Sequence, residues 1–149
     1  MFSEVKGNAW ELWGKGFDGL CITSNGYVTK AGKCVMGRGI ALEAKTRIKG
    51  LDEHLGTLIK RKGNIVHELG VDSKGNFMYS FPVKHKWDEA GDIELIKLSC
   101  MQLMAYINDR GLQAVLLPRP GCGNGKLKWE DVSKVIAPLL DERVYVVSF

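Results

Sequence analysis

The chain has 149 residues and lacks the cysteine and histidine patterns of a metal site. Its cysteines, Cys21, Cys34, Cys100 and Cys122, form no C-x-x-C pair, and its three histidines are too scattered to complete a zinc ligand set. We therefore expect no metal and no cofactor. Free thiols are typical of a reducing compartment, so the expected location is the cytoplasm.

The sequence also lacks any long apolar run and any block of like charge. No segment approaches the ~20 apolar residues of a membrane span, and residues 1–7 have no apolar core of a signal peptide. Lys plus Arg is 21 and Asp plus Glu is 17, which gives a net charge of +4. These features predict no membrane partner and argue against a nucleic-acid partner, although a nucleic-acid-binding module stays open as an alternative.

Apolar patterning predicts an α/β protein. The hydrophobic fraction of 45% and the length fit one domain with a full core, spanning residues 1–149. Apolar runs predict strands, and helical periodicity predicts helices between them. The predicted strands are 2–7, 19–25, 65–69, 76–81, 114–117 and 144–149, and the predicted helices are 38–48, 51–61, 92–108 and 129–140. Alternating elements predict helices on both faces of the sheet, and a hairpin over 65–81 predicts a mixed sheet.

Two glycine-rich loops stand at predicted helix entries. Residues 34–41 read CVMGRGIA, and residues 118–132 read PRPGCGNGKLKWEDV. Glycines allow successive backbone N–H groups to converge, and a helix N-terminus adds partial positive charge. Two such loops in one domain predict a ligand with two phosphates, or with a phosphate and a sugar.

Two common phosphate motifs are excluded by spacing. A P-loop ending at Gly125-Lys126 needs a glycine where Pro120 stands and a Ser or Thr where Leu127 stands. The G-x-G-x-x-G pattern that begins at Gly37 fails at Leu42. A dinucleotide site of the Rossmann type is therefore not expected.

Four segments together resemble the macro domain family, whose members bind ADP-ribose. Gly7-Asn8-Ala9 is similar to the family's Gly-Asp-(Leu/Ile), and Ile22-Thr23-Ser24-Asn25 takes the place of its strand ending in Asn. Residues 35–41 resemble the first ligand loop, (V/R)MG-x-GIA. Residues 118–132 resemble the phosphate loop, G-C-G-x-x-x-L-x-W, of the branch with the terminal ADP-ribose glycohydrolases that act on protein glutamate. The resemblance implies a three-layer α/β/α macro domain with a mixed central sheet.

The resemblance also implies the ligand contacts. The first loop would face the distal ribose and a phosphate, and the second would wrap the diphosphate. The implied residues are Met36, Gly37, Arg38, Gly39 and Ile40 in the first loop, and Pro120, Gly121, Cys122, Gly123, Asn124 and Gly125 in the second. Asn8 stands where the family's Asp accepts a hydrogen bond from the adenine amino group, so its carbonyl is expected to accept that bond. Asn25 would contact the distal ribose. A capping or turn role is the alternative for both asparagines.

For catalysis, the resemblance points to Lys84. In the glutamate-specific branch, a lysine at this position attacks C1″ of the distal ribose, assisted by an Asp in the phosphate loop. Gly125 stands where that Asp would be, and His85, Asp88 or Asp92 is the substitute proton acceptor to test. Lys84 as a solvated loop lysine is the alternative.

Several functions stay open from the sequence. The first is ADP-ribose binding with hydrolysis of a distal-ribose derivative, either ADP-ribose 1″-phosphate or an ADP-ribosyl ester on protein. In the phosphatase reaction, a positioned water attacks and Asn25, His85 and Lys84 assist. Cys122 as a thiol nucleophile is a further possibility. The second function is a non-catalytic ADP-ribose-binding module. ADP-ribosylated protein is an expected partner of the enzyme.

Overall fold

The computed structural model describes residues 1–149, which form one six-stranded sheet and five α-helices. The strands are β1 (Ser3–Lys6), β2 (Gly19–Ser24), β3 (His67–Val71), β4 (Phe77–Pro82), β5 (Val115–Pro118) and β6 (Val144–Ser148). The helices are α1 (Ala9–Leu12), α2 (Gly39–Arg47), α3 (Leu51–Lys62), α4 (Ile93–Arg110) and α5 (Trp129–Ile136).

The sheet is mixed, as the sequence predicts. The strand order is β1-β6-β5-β2-β4-β3. All neighbouring pairs are parallel except β3 and β4, which form the predicted antiparallel hairpin. The carboxyl ends of β1, β6, β5, β2 and β4 therefore meet at one edge of the sheet.

Helices cover both faces of the sheet because side chains alternate along each strand. In β2, Leu20 and Ile22 pack in one apolar cluster with the buried side of α2 and α3. Cys21 points the other way and packs in a second cluster with α4 and α5. This arrangement is the expected three-layer α/β/α architecture.

The structure departs from the predicted elements in three places. The four-residue α1, which Asn8 caps, was not predicted because a single turn shows no helical period. The predicted helix over 129–140 is shorter in the structure, since α5 ends at Ile136, two residues before Pro138, which cannot continue a helix. Leu42 and Ile48, two apolar residues of the predicted helix 38–48, are exposed, and the buried residues of α2 are Ala41 and Ala44.

No helix is both long enough and apolar enough to cross a membrane.

Candidate ligand-binding and active site

A cavity of about 870 Å³ lies at the edge where the five parallel strands end. Its lining includes the residues that follow β1, β2, β4, β5 and β6, together with the start of α2. Open α/β sheets place ligands outside the carboxyl ends of their strands. Both predicted glycine loops reach this cavity.

The first loop leads into α2 and presents free backbone donors. The N-cap residue Arg38 makes no side-chain capping bond, and the first turn holds no acidic residue. The amides of Gly39, Ile40 and Ala41 precede the first intrahelical bond, which Leu42 donates to Arg38. These amides and the partial positive charge of the helix end favour an anion.

Asn25 holds this first loop in place. Its Nδ2 donates to the carbonyl of Val35 at 2.9 Å, and its Oδ1 accepts from the amide of Tyr27 at 2.9 Å. Asn25 is buried and lines the cavity, and Met36 is buried in the core beside it. An amide NH₂ carries two hydrogens, so one donor of Asn25 is left for a ligand. The capping and the ligand-binding interpretations of Asn25 are therefore compatible.

The second loop is shaped by two glycines with positive φ. Gly121 has a φ of 76°, and a Cβ there would lie 2.7 Å from the Cδ1 of Leu127. Gly123 has a φ of 70° and begins a 3-10 turn over Gly123–Gly125. The amides of Gly123 and Asn124 stand at the start of that turn and have no partner within it. This loop is a second set of backbone donors.

The second loop does not lead directly into a helix, as the sequence had suggested. Helix α5 begins at Trp129, outside the cavity lining, and acidic residues occupy its first turn. Trp129 packs against Phe2 and beneath the guanidinium of Arg119, which agrees with a packing role. Pro120, implied as a ligand contact, is buried and does not line the cavity.

The two loops face each other across a narrow gap. A Cβ on Gly39, whose φ is 56°, would lie 3.4 Å from the side-chain nitrogen of Asn124. Glycine at this position therefore keeps the space between the loops open. The loop after β4 joins the same wall, because the amide of Gly91 donates to the carbonyl of Gly125 at 2.8 Å.

Lys84 lines the cavity near these loops. Its Nζ donates to the carbonyl of Trp87 at 3.0 Å. Burial lowers the pKa of Lys84, and the nearby cations Arg38 and Lys126 lower this pKa further, while Asp88 opposes them. A lysine in these surroundings holds more of its neutral, nucleophilic form at a given pH.

Comparison with known proteins identifies the fold family. The model of the family described as Macro domain matches residues 23–136. The chain belongs to the macro domain family. Over its whole length, this macro domain superimposes on the macrodomain of Thermus aquaticus DarG with a TM-score of 0.78 and 25% identity, covering 98% of that chain.

Two relatives carry functional names. The protein named DNA ADP-ribosyl glycohydrolase of Thermus aquaticus is 25% identical over 115 residues, which are 72% of this chain. Our macro domain spans about a third of that relative's length (31%). ADP-ribose glycohydrolase OARD1 of Bos taurus is 29% identical over 108 residues, covering 72% of this chain and 68% of the relative.

His85 does not join the cavity of this macro domain. Its Nδ1 lies 3.3 Å from the Nδ2 of Asn64, and its Nε2 lies 3.6 Å from a carboxylate oxygen of Asp92. His85 is absent from the cavity lining, as are Asp88 and Asp92. None of these three side chains therefore lines the cavity, although Asp88 is close enough to Lys84 to oppose the lowering of its pKa.

Cys122 lines the cavity, but its thiol is held in the protonated form. Burial raises the pKa of Cys122, and Arg119 opposes that rise only in part. Its Sγ lies 3.7 Å from the carbonyl of Pro120. These surroundings argue against the thiolate that a nucleophilic cysteine requires.

Asn8 lines the cavity and also caps a helix. Its Oδ1 accepts from the amide of Trp10 at 2.9 Å and so caps α1. Only an oxygen can accept that bond, so the orientation of the amide is fixed and Nδ2 is the free group. The same oxygen keeps a second lone pair, so the capping role and the expected acceptor role toward adenine are compatible.

Several residues of the cavity lining could not be predicted from the sequence. Trp10 and the β6 end, Val147–Phe149, belong to no quoted motif, and only the fold brings them to the cavity. No group of three His, Cys, Asp or Glu side chains is placed to hold a metal ion.

Proposed function

We propose that the chain binds ADP-ribose in this cavity and hydrolyses the bond between the distal ribose and a leaving group. The observation that carries the proposal is the pair of glycine loops facing each other at the carboxyl ends of the parallel strands. Both loops border this gap with backbone amides that have no backbone partner, and Arg38, Lys84 and Arg119 line the same cavity. A diphosphate fits such a gap because its charge meets two sets of backbone donors.

Lys84 is the proposed nucleophile on an ADP-ribosyl ester. Its free amine forms a bond to C1″ while the C1″–O bond breaks, and the carboxylate leaves with the bonding electron pair. The nitrogen loses its proton to solvent. Water then adds to C1″, the C–N bond breaks, and ADP-ribose leaves with the amine regenerated. The lowered pKa of Lys84 supports this role.

Two alternatives to ester hydrolysis are also proposed: a phosphatase reaction and binding without turnover. Removal of the phosphate from ADP-ribose 1″-phosphate needs only backbone amides and a positioned water, so it does not depend on an acid in the second loop. Gly125 supplies no carboxylate, and this favours the second variant, a binding module without turnover. Lys84 then serves as a fixed cation beside the diphosphate.

The positive charge around the cavity indicates which leaving group the distal ribose carries. Arg38 and Lys126 lie close enough to lower the pKa of Lys84, and Glu43 is the only acidic side chain in the lining. A relative carries the name DNA ADP-ribosyl glycohydrolase, and DNA would bring an anionic backbone to these cations. ADP-ribosylated DNA therefore joins ADP-ribosylated protein as a candidate substrate.

Calorimetry with ADP-ribose tests the binding step, and product analysis tests turnover. The substrates are ADP-ribose 1″-phosphate, glutamate-ADP-ribosylated protein and an ADP-ribosylated oligonucleotide. Absence of ADP-ribose binding would reject the proposal. Binding without product from any substrate would show a binding module without turnover. Measuring affinity at several salt concentrations distinguishes the oligonucleotide from the other substrates, because affinity for an oligonucleotide falls steeply as salt rises. Lys84→Ala should abolish ester hydrolysis and spare the phosphatase reaction.

A further inference from the structure

The amine of Lys84 has a single hydrogen-bond partner, and that partner is a backbone oxygen. Its Nζ donates to the carbonyl of Trp87 at 3.0 Å. Lys84 takes part in none of the ion pairs of the structure, and Gly125 supplies no carboxylate from the second loop. A carbonyl can position an amine, but it cannot take up its proton. The placement of the amine therefore depends on how the Trp87 carbonyl is held.

A short turn over residues 86–89 holds that carbonyl. The amide of Glu89 donates to the carbonyl of Lys86 at 3.2 Å. In return, the Oε1 of Glu89 accepts from the amide of Lys86 at 3.0 Å. Two hydrogen bonds therefore join the first and last residues of the turn, and Trp87 lies between them. Because both ends of the turn are tied together, the direction of the Trp87 carbonyl is fixed.

The loop that contains this turn is anchored differently at its base. There, the amide of Asp92 donates to the carbonyl of Val83 at 2.8 Å, so the base is closed by backbone groups alone. The turn at the tip adds one side-chain bond, which comes from Glu89. The side chain of Glu89 is exposed and does not line the cavity. Glu89 can therefore act on the cavity only through the turn.

We infer that Glu89 is a positioning residue for the reaction of Lys84, because its side chain closes the turn that directs the Trp87 carbonyl toward the amine. This inference rests on the proposed function. The carbonyl accepts an N–H of Lys84 whether the amine is charged or neutral. After the proton has left, this bond restricts the directions in which the lone pair can point. A reacting group misplaced by about 1 Å can lose on the order of a hundredfold in rate, so a looser turn slows the attack on C1″.

Three variants test this role with two measurements. Single-turnover hydrolysis of glutamate-ADP-ribosylated protein reports the step in which Lys84 acts, and calorimetry gives the Kd for ADP-ribose. Glu89→Ala should lower the hydrolysis rate by about tenfold and change the Kd by less than about twofold. Glu89→Gln keeps an oxygen that accepts from the Lys86 amide and loses only the charge, so it should retain the rate to within about twofold. Glu94→Ala, which removes a carboxylate outside the cavity, is the matched control and should behave as the wild type.

Three results would overturn the inference while the activity of the wild type upheld the proposed function. The first is an unchanged hydrolysis rate in Glu89→Ala. The second is an equal loss of rate in Glu89→Ala and Glu89→Gln, because the charge and not the turn would then matter. The third is a parallel loss of binding and hydrolysis in Glu89→Ala, which would show that the turn only supports the fold. Absence of ester hydrolysis by the wild type would instead reject Lys84 as the nucleophile, and the inference with it.

Discussion

The side-chain amide of Asn64 donates a hydrogen bond of 3.2 Å to the backbone carbonyl of Lys84. Asn64 lies outside the cavity, in the connection between α3 and β3. It reaches Lys84 because Gly26 has no side chain, since a Cβ on Gly26 would lie 2.5 Å from the Asn64 Cγ. The amide of Gly26 donates to His85, so the backbone around Lys84 is held on both sides.

Asn64→Ala should lower turnover more than binding. Loss of this bond frees the Lys84 backbone, and small displacements of a catalytic group slow its reaction. We expect kcat for ester hydrolysis to fall by about tenfold, while the Kd for ADP-ribose stays within about twofold. Asn76→Ala, in the β3–β4 turn, is the matched control and should alter neither. A parallel loss of binding and turnover would show that Asn64 only supports the fold.

The pH dependence of hydrolysis should report the lowered pKa of Lys84. The neutral amine attacks, so the rate rises with pH through that pKa and levels off above it. Burial and the cations Arg38 and Lys126 place this rise below the ordinary lysine value. A kcat/KM profile checks it. Lys84→Arg keeps the charge but cannot become neutral, so it should bind ADP-ribose and lack ester hydrolysis; an active arginine variant would exclude the lysine as nucleophile.

Gly37→Glu should abolish ADP-ribose binding without harming the fold. Gly37 has no positive φ, and nothing lies within 4 Å of a Cβ built there. A carboxylate in the first loop would repel the diphosphate and lower affinity by roughly a hundredfold. Gly37→Gln, which adds a side chain of the same size without the charge, should lose much less affinity for ADP-ribose. Gly123→Glu should also abolish binding, but its φ of 70° adds strain, so Gly37 gives the cleaner electrostatic test.

Gly125→Asp should accelerate ester hydrolysis. A Cβ at Gly125 would make only ordinary contacts, the nearest at 3.6 Å to the amide of Gly91, and its φ is not positive. The new carboxylate would lie in the cavity wall and could take the proton of Lys84. We expect a rise of about tenfold or more in kcat at neutral pH. A rate equal to or below the wild-type rate in a folded variant would contradict a role for an acid at this position.

Gly56→Ala should destabilise the protein although alanine is the better helix former. A Cβ on Gly56 would lie 2.1 Å from the carbonyl oxygen of Gly32, which is backbone and cannot rotate away. Overpacking costs about 1–3 kcal/mol, and helix propensity returns about 1 kcal/mol. Because the clash is with backbone, we expect the upper end of that cost, about 3 kcal/mol. Denaturant unfolding should then show a net loss of about 2 kcal/mol. Thr57→Ala, on the exposed side of α3, should not show this loss.

The layers of the fold were predictable from the sequence because they depend on the spacing of apolar residues along each helix and strand. β2 and β5 read as short buried runs, and α4 carries an apolar face that ends at Gly111. The two glycine loops were predictable because a turn with positive φ limits the choice of residue. The helix α1 was not, since four residues carry too little periodicity.

The orientation of individual site groups could not be predicted in the same way. His85 follows Lys84 in the chain, yet its contacts are Asn64 and Asp92, on the side away from the ligand space. The resemblance also implied that Asn8 contacts the base, but the sequence could not tell which end of its amide would face the cavity. Helix capping, a local contact with Trp10, decides that orientation.

The antiparallel hairpin has a practical consequence for measuring this protein. Because β3 alone runs against its neighbour, the turn between β3 and β4 lies at the sheet edge opposite to the cavity. Its residues Asp72 to Gly75 are exposed. A fluorophore or surface linker attached at Ser73 or Lys74 would leave the ligand entrance unobstructed on an immobilised sample.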